Sequence, residues 1–224
     1  MCFDQIQINY KELENILNTC TVNNNGKKFS GFKKSKHKVY RIYWSKKVVQ
    51  EDVQENVEYT FKYKEEISFI KESSLSKTAV CIGYNPAKAE DEIDTTNKRL
   101  IDLLWDDYDG YILYNLYPQV SSDKDTCNLD LEENENFIHL LSEVIKKEES
   151  DIILFWGRSV NIDKKIKLAI EARLRNNKVL KITTFKNEFK HPGAHGGCVL
   201  KELKSGDTYI HKQTTYRIVL NSNK

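Results

Sequence analysis

The sequence predicts an α/β protein of three layers, in which a mostly parallel sheet lies between two layers of helices. Three short apolar runs, Ala79–Gly83, Tyr111–Leu116 and Asp151–Gly157, have the length and composition of buried strands. Helical patterns separate these runs, and such alternation is typical of parallel sheets that are covered on both faces.

The first 75 residues have a different pattern. Apolar residues at one helical face, from Tyr10 to Leu17, predict a short N-terminal helix, and Val39–Trp44 and Tyr59–Tyr63 are aromatic-rich segments with the partial alternation of strands. The composition changes near Ser73–Ser76. We therefore predict a β-containing N-terminal extension over residues 1–75, packed on a main α/β domain over residues 76–224.

The main domain continues with alternating elements. Thr95–Trp105 is predicted to be a helix with Asp94 as its N-cap, and apolar residues spaced as on one helical face predict a second helix around Phe137–Ile145. A third helix is marked by Ile162, Ile166, Ala169 and Ile170, a fourth strand by Val179–Ile182, and a C-terminal hairpin by Tyr209–Ile210 and Tyr216–Leu220.

Composition excludes several classes of protein. No apolar run approaches 18 residues and the N-terminus has no signal-peptide pattern, so we expect a cytoplasmic protein without a membrane span. The five cysteines are an odd number, widely scattered and without a C-x-x-C pair, which favours reduced thiols over disulfides. His191, His195, Cys198 and His211 lack the paired spacing of a zinc site, and no P-loop is present, so we expect neither a metal nor a cofactor.

Charge is unevenly distributed although the formal net charge is only +2. Residues 21–50 contain nine Lys and Arg residues, five interleaved aromatic residues and no acid, whereas residues 90–135 contain fourteen acidic and three basic residues. The basic stretch is either a binding surface for phosphate or an acidic protein, or a solvated face of a hairpin. The acidic stretch repels a phosphate backbone wherever it lies beside one.

Polar residues follow the predicted strands, at the edge where open α/β sheets place their ligands. The first strand ends in Gly83-Tyr84-Asn85-Pro86, Asn115 closes the second, and His191 begins a His-Pro-Gly loop. An asparagine amide can orient water or read a planar ring, and a loop histidine can move a proton. Each also has a structural interpretation, as a turn, a backbone-bonded amide or a surface residue.

These motifs, in this order, resemble the uracil-DNA glycosylase superfamily over residues 79 to about 200. The resemblance rests on Gly83–Ala87, on Asn115 at the end of an apolar strand, on Leu154–Gly157, and on Val179–Lys181 followed by His191-Pro192-Gly193. Asn85-Pro86-Ala87 with Asp94, Thr96, Arg99 and His191-Pro192 is more closely similar to a pseudo-uracil-DNA glycosylase family carried on mobile genetic elements.

The resemblance implies a set of site residues. Asn85 and His191 take the catalytic positions, vestigial if the protein is inactive. Asp94, Thr96 and Arg99 form a family-like pocket. The base or another ligand is bound by Gly83, Tyr84, Pro86, Asn115, Pro192, Gly193 and His195.

Departures from the superfamily pattern concern catalysis and DNA binding. Asn85 stands where a carboxylate activates water, and an amide cannot accept a proton as a carboxylate does. Ala87 replaces the tyrosine that shields the pocket, and no Phe between Phe69 and Phe137 supplies the stacking ring. Gly193 replaces a phosphate-binding serine, and His195 replaces the leucine wedge.

The resemblance, together with these departures, leaves three functions open. The first is a non-catalytic protein that binds an acidic, DNA-mimicking inhibitor of uracil-DNA glycosylase, with DNA as a possible but weak ligand. The second is a weakly active uracil or mismatch glycosylase that uses Asn85, Asn115 and His191. The third is an enzyme acting on a nucleotide-like small molecule through Asp94, Arg99 and His191.

Overall fold

The computed structural model describes residues 3–25, 37–51, 56–72, 75–86, 93–121, 132–157, 163–174, 179–183, 198–203, 208–211 and 214–217. The helices within these ranges are α1 (Phe3–Asn18), α2 (Thr95–Leu104), α3 (Glu132–Lys147) and α4 (Lys164–Leu174). The strands are β1 (Thr21–Asn25), β2 (Val39–Glu51), β3 (Asn56–Phe69), β4 (Thr78–Gly83), β5 (Gly110–Asn115), β6 (Ile152–Leu154), β7 (Val179–Thr183), β8 (Val199–Glu202), β9 (Thr208–His211) and β10 (Thr214–Arg217).

Eight of the strands form one mixed sheet in the order β1-β2-β3-β5-β4-β6-β7-β8. The four strands β5, β4, β6 and β7 are parallel, whereas β1, β2, β3 and β8 join by antiparallel pairing. The α/β class is therefore confirmed, but the sheet as a whole is not mostly parallel. The difference arises because β2 and β3 extend the same sheet from β5 by antiparallel pairing.

Helices cover both faces of the parallel strands. Alternate residues of β4 point to opposite faces: Val80 and Ile82 pack in a core with α1, α3 and α4, whereas Ala79 and Cys81 pack with α2. We call these the α3 face and the α2 face. Because both faces bury apolar side chains, these strands have continuous apolar runs in the sequence. These runs allowed the strands to be predicted.

The first 75 residues contribute the long hairpin β2–β3, whose strands have 13 and 14 residues. A β-bulge interrupts their register between Trp44 and Ser45, which pair with Lys64 and Lys62 and leave Tyr63 as the additional residue. The β3 strand then pairs with β5 from Glu65–Leu113 to Ser68–Gly110. Strands from both sides of the predicted boundary at residue 75 thus share one sheet, and the division into two domains stays a prediction.

Most predicted elements are confirmed, with differences at their ends. The predicted helices correspond to α1, α2, α3 and α4, and Asp94 is the N-cap of α2. The C-terminal hairpin is present as β9 paired with β10, although residues 218–220 of its prediction lie outside the described residues. The sequence analysis did not predict β1 or β8, and the segments that it predicted for β2 and β3 are shorter than the observed strands. Within the described ranges, no helix is both long and apolar enough to cross a membrane.

Candidate functional site

The carboxyl ends of β4 and β5 meet at one edge of the sheet. Gly83 ends β4 and lies beside Asn115, which ends β5, in the parallel register of the two strands. A Cβ atom placed on Gly83 would overlap Asn115 Oδ1 and would lie 2.8 Å from the Phe155 ring. Any side chain at this strand end would therefore have to displace the amide of Asn115 and the ring of Phe155.

Asn115 is a buried amide on the α2 face. Tyr111 and Leu113, at alternate positions before it, belong to the core that α2 covers, so Asn115 points to the same face. Its exposed fraction is 5%. Among the residues that the structure describes, no hydrogen bond is made by its side chain. Its carboxamide oxygen is directed at the position where Gly83 lacks a side chain.

The residues after β4 are held by the chain that follows β5. Asn85 Nδ2 donates to the carbonyl oxygen of Ser121 at 2.9 Å, and the Ser121 amide donates to the carbonyl oxygen of Pro86 at 3.2 Å. The ring of Tyr84 lies edge-on to the ring of Tyr117, with centroids 5.1 Å apart. Asn85 thus acts in this structure as a tether between two loops.

Asp94 caps the first turn of α2, as predicted. Its Oδ1 accepts a hydrogen bond from the Asn97 amide at 2.8 Å. Thr96 and Arg99 follow on α2 and are partly buried. Asp102, further along α2, has its Oδ1 3.3 Å from His37 Nε2.

A buried group of polar residues lies beside α2 and was missed by the sequence analysis. We call it the charged cluster, and its members are Arg41, Tyr43, Lys62, Glu65, Asn97 and Tyr111, each at most 5% exposed.

Two anchors hold the charged cluster together. The first is the carboxylate of Glu65, whose Oε1 accepts hydrogen bonds from Arg41 Nε at 2.6 Å and from Asn97 Nδ2 at 3.0 Å. Tyr111 donates its hydroxyl proton to Asn97 Oδ1 at 2.7 Å. The second anchor is the ring of Tyr43: Arg41 Cζ lies 4.7 Å and Lys62 Nζ 4.9 Å from its centroid, within cation–π range.

Burial and neighbouring charges shift the pKa values of this region. Burial raises the pKa of Asp94, and Glu65 raises it further, although Lys62 and Arg41 oppose this. Burial lowers the pKa of Arg41, but the adjacent Glu65 outweighs it and the net shift is upward. Burial and Glu65 hold the pKa of Tyr111 well above its usual value, so its hydroxyl stays a hydrogen-bond donor.

The β-bulge explains why the charged cluster was missed. Regular alternation places Lys62 and Glu65, three residues apart, on opposite faces of β3. The additional residue Tyr63 changes the phase, so both side chains reach the α2 face. The core confirms this change, because Tyr63 packs on the α3 face and Ile67 on the α2 face. The only sequence signal was opposite charges within aromatic-rich strands.

Part of the predicted site cannot be compared with the structure. His191, Pro192, Gly193 and His195 lie outside the described residues. Within the described ranges, no group of three or more His, Cys, Asp and Glu residues is arranged to hold a metal ion. A cavity of about 420 Å³ lies on the α3 face between α1 and α3, lined by residues such as Ile16 and Leu140, and is separate from the site on the α2 face.

Comparisons with known proteins identify a family. The family described as "Protein of unknown function (DUF1643)" matches residues 69–193, which include β4, α2, β5 and the predicted loop at His191. No curated protein sequence matches the chain. A solved acetyl xylan esterase from Paenibacillus sp. R4 is similar over 77% of this chain, with 11% identity and a TM-score of 0.32. The chain spans 60% of the length of that esterase.

Proposed function

Because the chain belongs to the DUF1643 family, a family of unknown function, we propose its role from the site itself. We propose that it is a non-catalytic, uracil-DNA glycosylase-like protein of the cytoplasm. Its ligand is an acidic protein that mimics DNA and inhibits uracil-DNA glycosylase, and nucleic acid is a weaker ligand.

The observation that carries this proposal is the hydrogen bond from Asn85 to the Ser121 carbonyl. In the superfamily resemblance, Asn85 stands at the position of the carboxylate that activates water. An amide nitrogen has no lone pair available as a base, and this one is already committed as a donor. The residue that should activate water instead holds two loops together.

The nearby acids have other structural roles. Asp94 accepts the hydrogen bond that caps α2, and Glu65 accepts from both Arg41 and Asn97. Both acids are thus part of the hydrogen-bonded framework around α2, which supports the non-catalytic assignment.

The central strands support the proposed glycosylase-like architecture. They run parallel in the order β5-β4-β6-β7, with helices on both faces, and the motifs at Gly83 and Asn115 end neighbouring strands. Past β6, Gly157 has a φ of 92°, a backbone conformation that favours glycine and suits the Trp-Gly pair of the motif.

The acidic partner is inferred from the basic stretch. Its described lysines at positions 38, 46 and 47 are exposed on β2 or next to it, and Lys47 also forms an ion pair with Glu58 at 2.8 Å. A protein that mimics DNA presents rows of carboxylates, and exposed lysines attract such a surface in a salt-dependent way.

Two assays on one preparation test the proposal. We expect an acidic uracil-DNA glycosylase inhibitor to form a complex with the chain at low salt, and uracil-containing oligonucleotides to remain intact with excess protein. Lys46→Glu should weaken the complex at least tenfold. Lys164→Glu, at an exposed position on α4, is the matched control and should leave it unchanged. Absence of a complex at low salt, or release of uracil, would overturn the proposal.

A further inference from the structure

Within the described ranges, α1 and α3 cover only part of the α3 face where it extends onto β2 and β3. Phe61 and Tyr63, on the N-terminal side of β3, pack in the core with these helices, and the Tyr63 ring centroid lies 5.5 Å from that of Phe137. After the bulge the exposure changes. The next residues of β3 on this face, Lys64 and Glu66, are partly exposed.

Three apolar residues of β2 lie on the same part of the α3 face. Val39 packs in the core of the α2 face and Val48 packs against the core of the α3 face, so the even-numbered residues of β2 point to the α3 face. They include three partly exposed side chains, and among the described residues none of the three packs in either core: Tyr40, Ile42 and Trp44. We call these three residues, with Lys64 and Glu66, the open sheet face.

The open sheet face reaches the edge of the sheet. The edge strand β1 pairs Val22 with Trp44, and residues that pair directly across two strands point to the same face. The exposed fraction of Val22 is 55%. The face therefore stays accessible beside the Trp44 ring.

The charge at the open sheet face is positive. Lys64 Nζ lies 4.7 Å from the ring centroid of Trp44 and also forms an ion pair with Glu66, so the acid on this face is already compensated. Lys38, just before β2, and Lys46 continue the same row of side chains and are exposed. Three lysines against one acid attract an anionic partner.

We propose that the open sheet face binds single-stranded nucleic acid, with bases stacked on Tyr40 and Trp44 and phosphates next to the three lysines. The inference deepens the nucleic-acid part of the proposed function and rests on that part alone, not on inhibitor binding. It concerns a different surface from the carboxyl ends of β4 and β5.

Aromatic rings beside lysines suit a single strand better than a duplex. Every nucleobase has a π-face, and stacking on aromatic side chains along a basic surface binds single strands without sequence preference. In a duplex the bases are stacked on one another, and taking one out costs free energy. Tyr40 and Trp44 are about 13 Å apart along β2, so each ring can hold a different base of one strand.

A second copy of the chain is a less suitable occupant. A two-fold contact places the same surface on both sides, which would bring the lysines of one copy against those of the other. Like charges across an interface oppose association. Single-stranded nucleic acid combines the negative charge that the lysines attract with the flat rings that Tyr40 and Trp44 can stack on.

Fluorescence titration of the full chain with oligo(dT), oligo(U) and a DNA duplex, each of about twelve nucleotides, tests the proposal. We expect a single strand to bind at least tenfold more tightly than the duplex at low salt and to quench tryptophan fluorescence. The quenching should come from Trp44, because Trp156 is only 2% exposed and Trp105 stacks on the rings of His37 and Phe69.

Three variants separate stacking from charge. Trp44→Ala should weaken single-strand binding at least fivefold, whereas Trp44→Phe keeps a ring and should retain binding but lose the quenching. Lys38→Glu should weaken binding at least threefold and reduce its dependence on salt. Lys165→Glu, at an exposed position on α4, is the matched control and should leave binding unchanged.

The outcomes distinguish this inference from the proposed function. A preference for oligo(dT) or for oligo(U) would support the open sheet face and identify its ligand as DNA or RNA. Equal binding of single strand and duplex, or unchanged binding by Trp44→Ala, would overturn the inference and leave weak nucleic-acid binding in the proposed function intact. A dimer that Trp44→Ala dissociates, with no oligonucleotide bound, would assign the face to a second copy. If no oligonucleotide binds, the inference fails, whatever the inhibitor assay gives.

Discussion

Gly83 and Asn115 are mutually dependent: the amide of Asn115 occupies the space where any other residue at position 83 would place its Cβ atom. Both residues end parallel strands and both are buried. The absence of a side chain at Gly83 is therefore what allows a polar group to lie inside the α2 face at this edge.

Replacing Gly83 by alanine should displace the Asn115 amide and the Phe155 ring. Overpacking of a buried site costs about 1–3 kcal/mol, so we expect the free energy of unfolding in urea to fall by that amount. Ser68→Ala, at an exposed position on β3, should change it by less than about 0.5 kcal/mol. A Gly83→Ala variant as stable as the parent would mean that the two neighbours move without cost.

The buried ion pair of Arg41 and Glu65 should show strong coupling in a double-mutant cycle. Removal of one partner leaves a buried charge, and we expect Glu65→Gln to lower the free energy of unfolding by about 3–5 kcal/mol. The exposed pair Lys47–Glu58 is the comparison, with an expected coupling of about 0–1 kcal/mol. Similar coupling in both pairs would contradict the buried, hydrogen-bonded geometry.

Asp94 should make the wild-type chain lose stability relative to Asp94→Asn as pH rises. The folded-state pKa of Asp94 lies above its ordinary value of 3.8, so the folded chain holds this proton more tightly than the unfolded chain does. That stabilisation is fully present below the unfolded pKa and disappears as pH rises through the folded pKa. Urea titrations of both proteins between pH 3 and pH 7 measure the difference in their free energies of unfolding. If wild type instead becomes more stable relative to Asp94→Asn as pH rises, the predicted direction is wrong.

Asn85→Asp should not create a glycosylase. An ionised carboxylate has no proton to donate to the Ser121 carbonyl, 2.9 Å from the present amide nitrogen, so the two oxygens would repel each other. We expect a larger loss of stability than in Asn85→Ala and no abasic product from uracil-containing DNA. Product formation by Asn85→Asp would show that a single carboxylate is sufficient for activity.

The parallel strands and their helices could be predicted because their chemistry is local. Strands buried on both faces read as short apolar runs, and α3 repeats its apolar residues at helical spacing from Phe137 to Ile145. The cap at Asp94 follows from residue type and position. The close approach of Gly83 to Asn115 agrees with the expectation that neighbouring strand ends share an edge.

The charged cluster could not be predicted, because it depends on long-range pairing and on one additional residue. Arg41 and Glu65 are 24 residues apart in sequence, and nothing local specifies that β2 faces β3 in this register. The phase change at Tyr63 then reverses the side to which Lys62 points. The continuation of the sheet from β5 into β3 could not be assigned for the same reason: the sequence of a strand does not specify which strand it pairs with.

The pairing of β3 with β5 has a consequence for shorter relatives. The family match begins at residue 69, at the last residue of β3, so β3 falls almost entirely outside it. A relative built from the matched segment alone would leave the backbone amides and carbonyls along one side of β5 without hydrogen-bond partners, and such an unpaired edge promotes aggregation. We expect each such relative to pair this edge in another way, with a strand from elsewhere in its chain or from a second molecule.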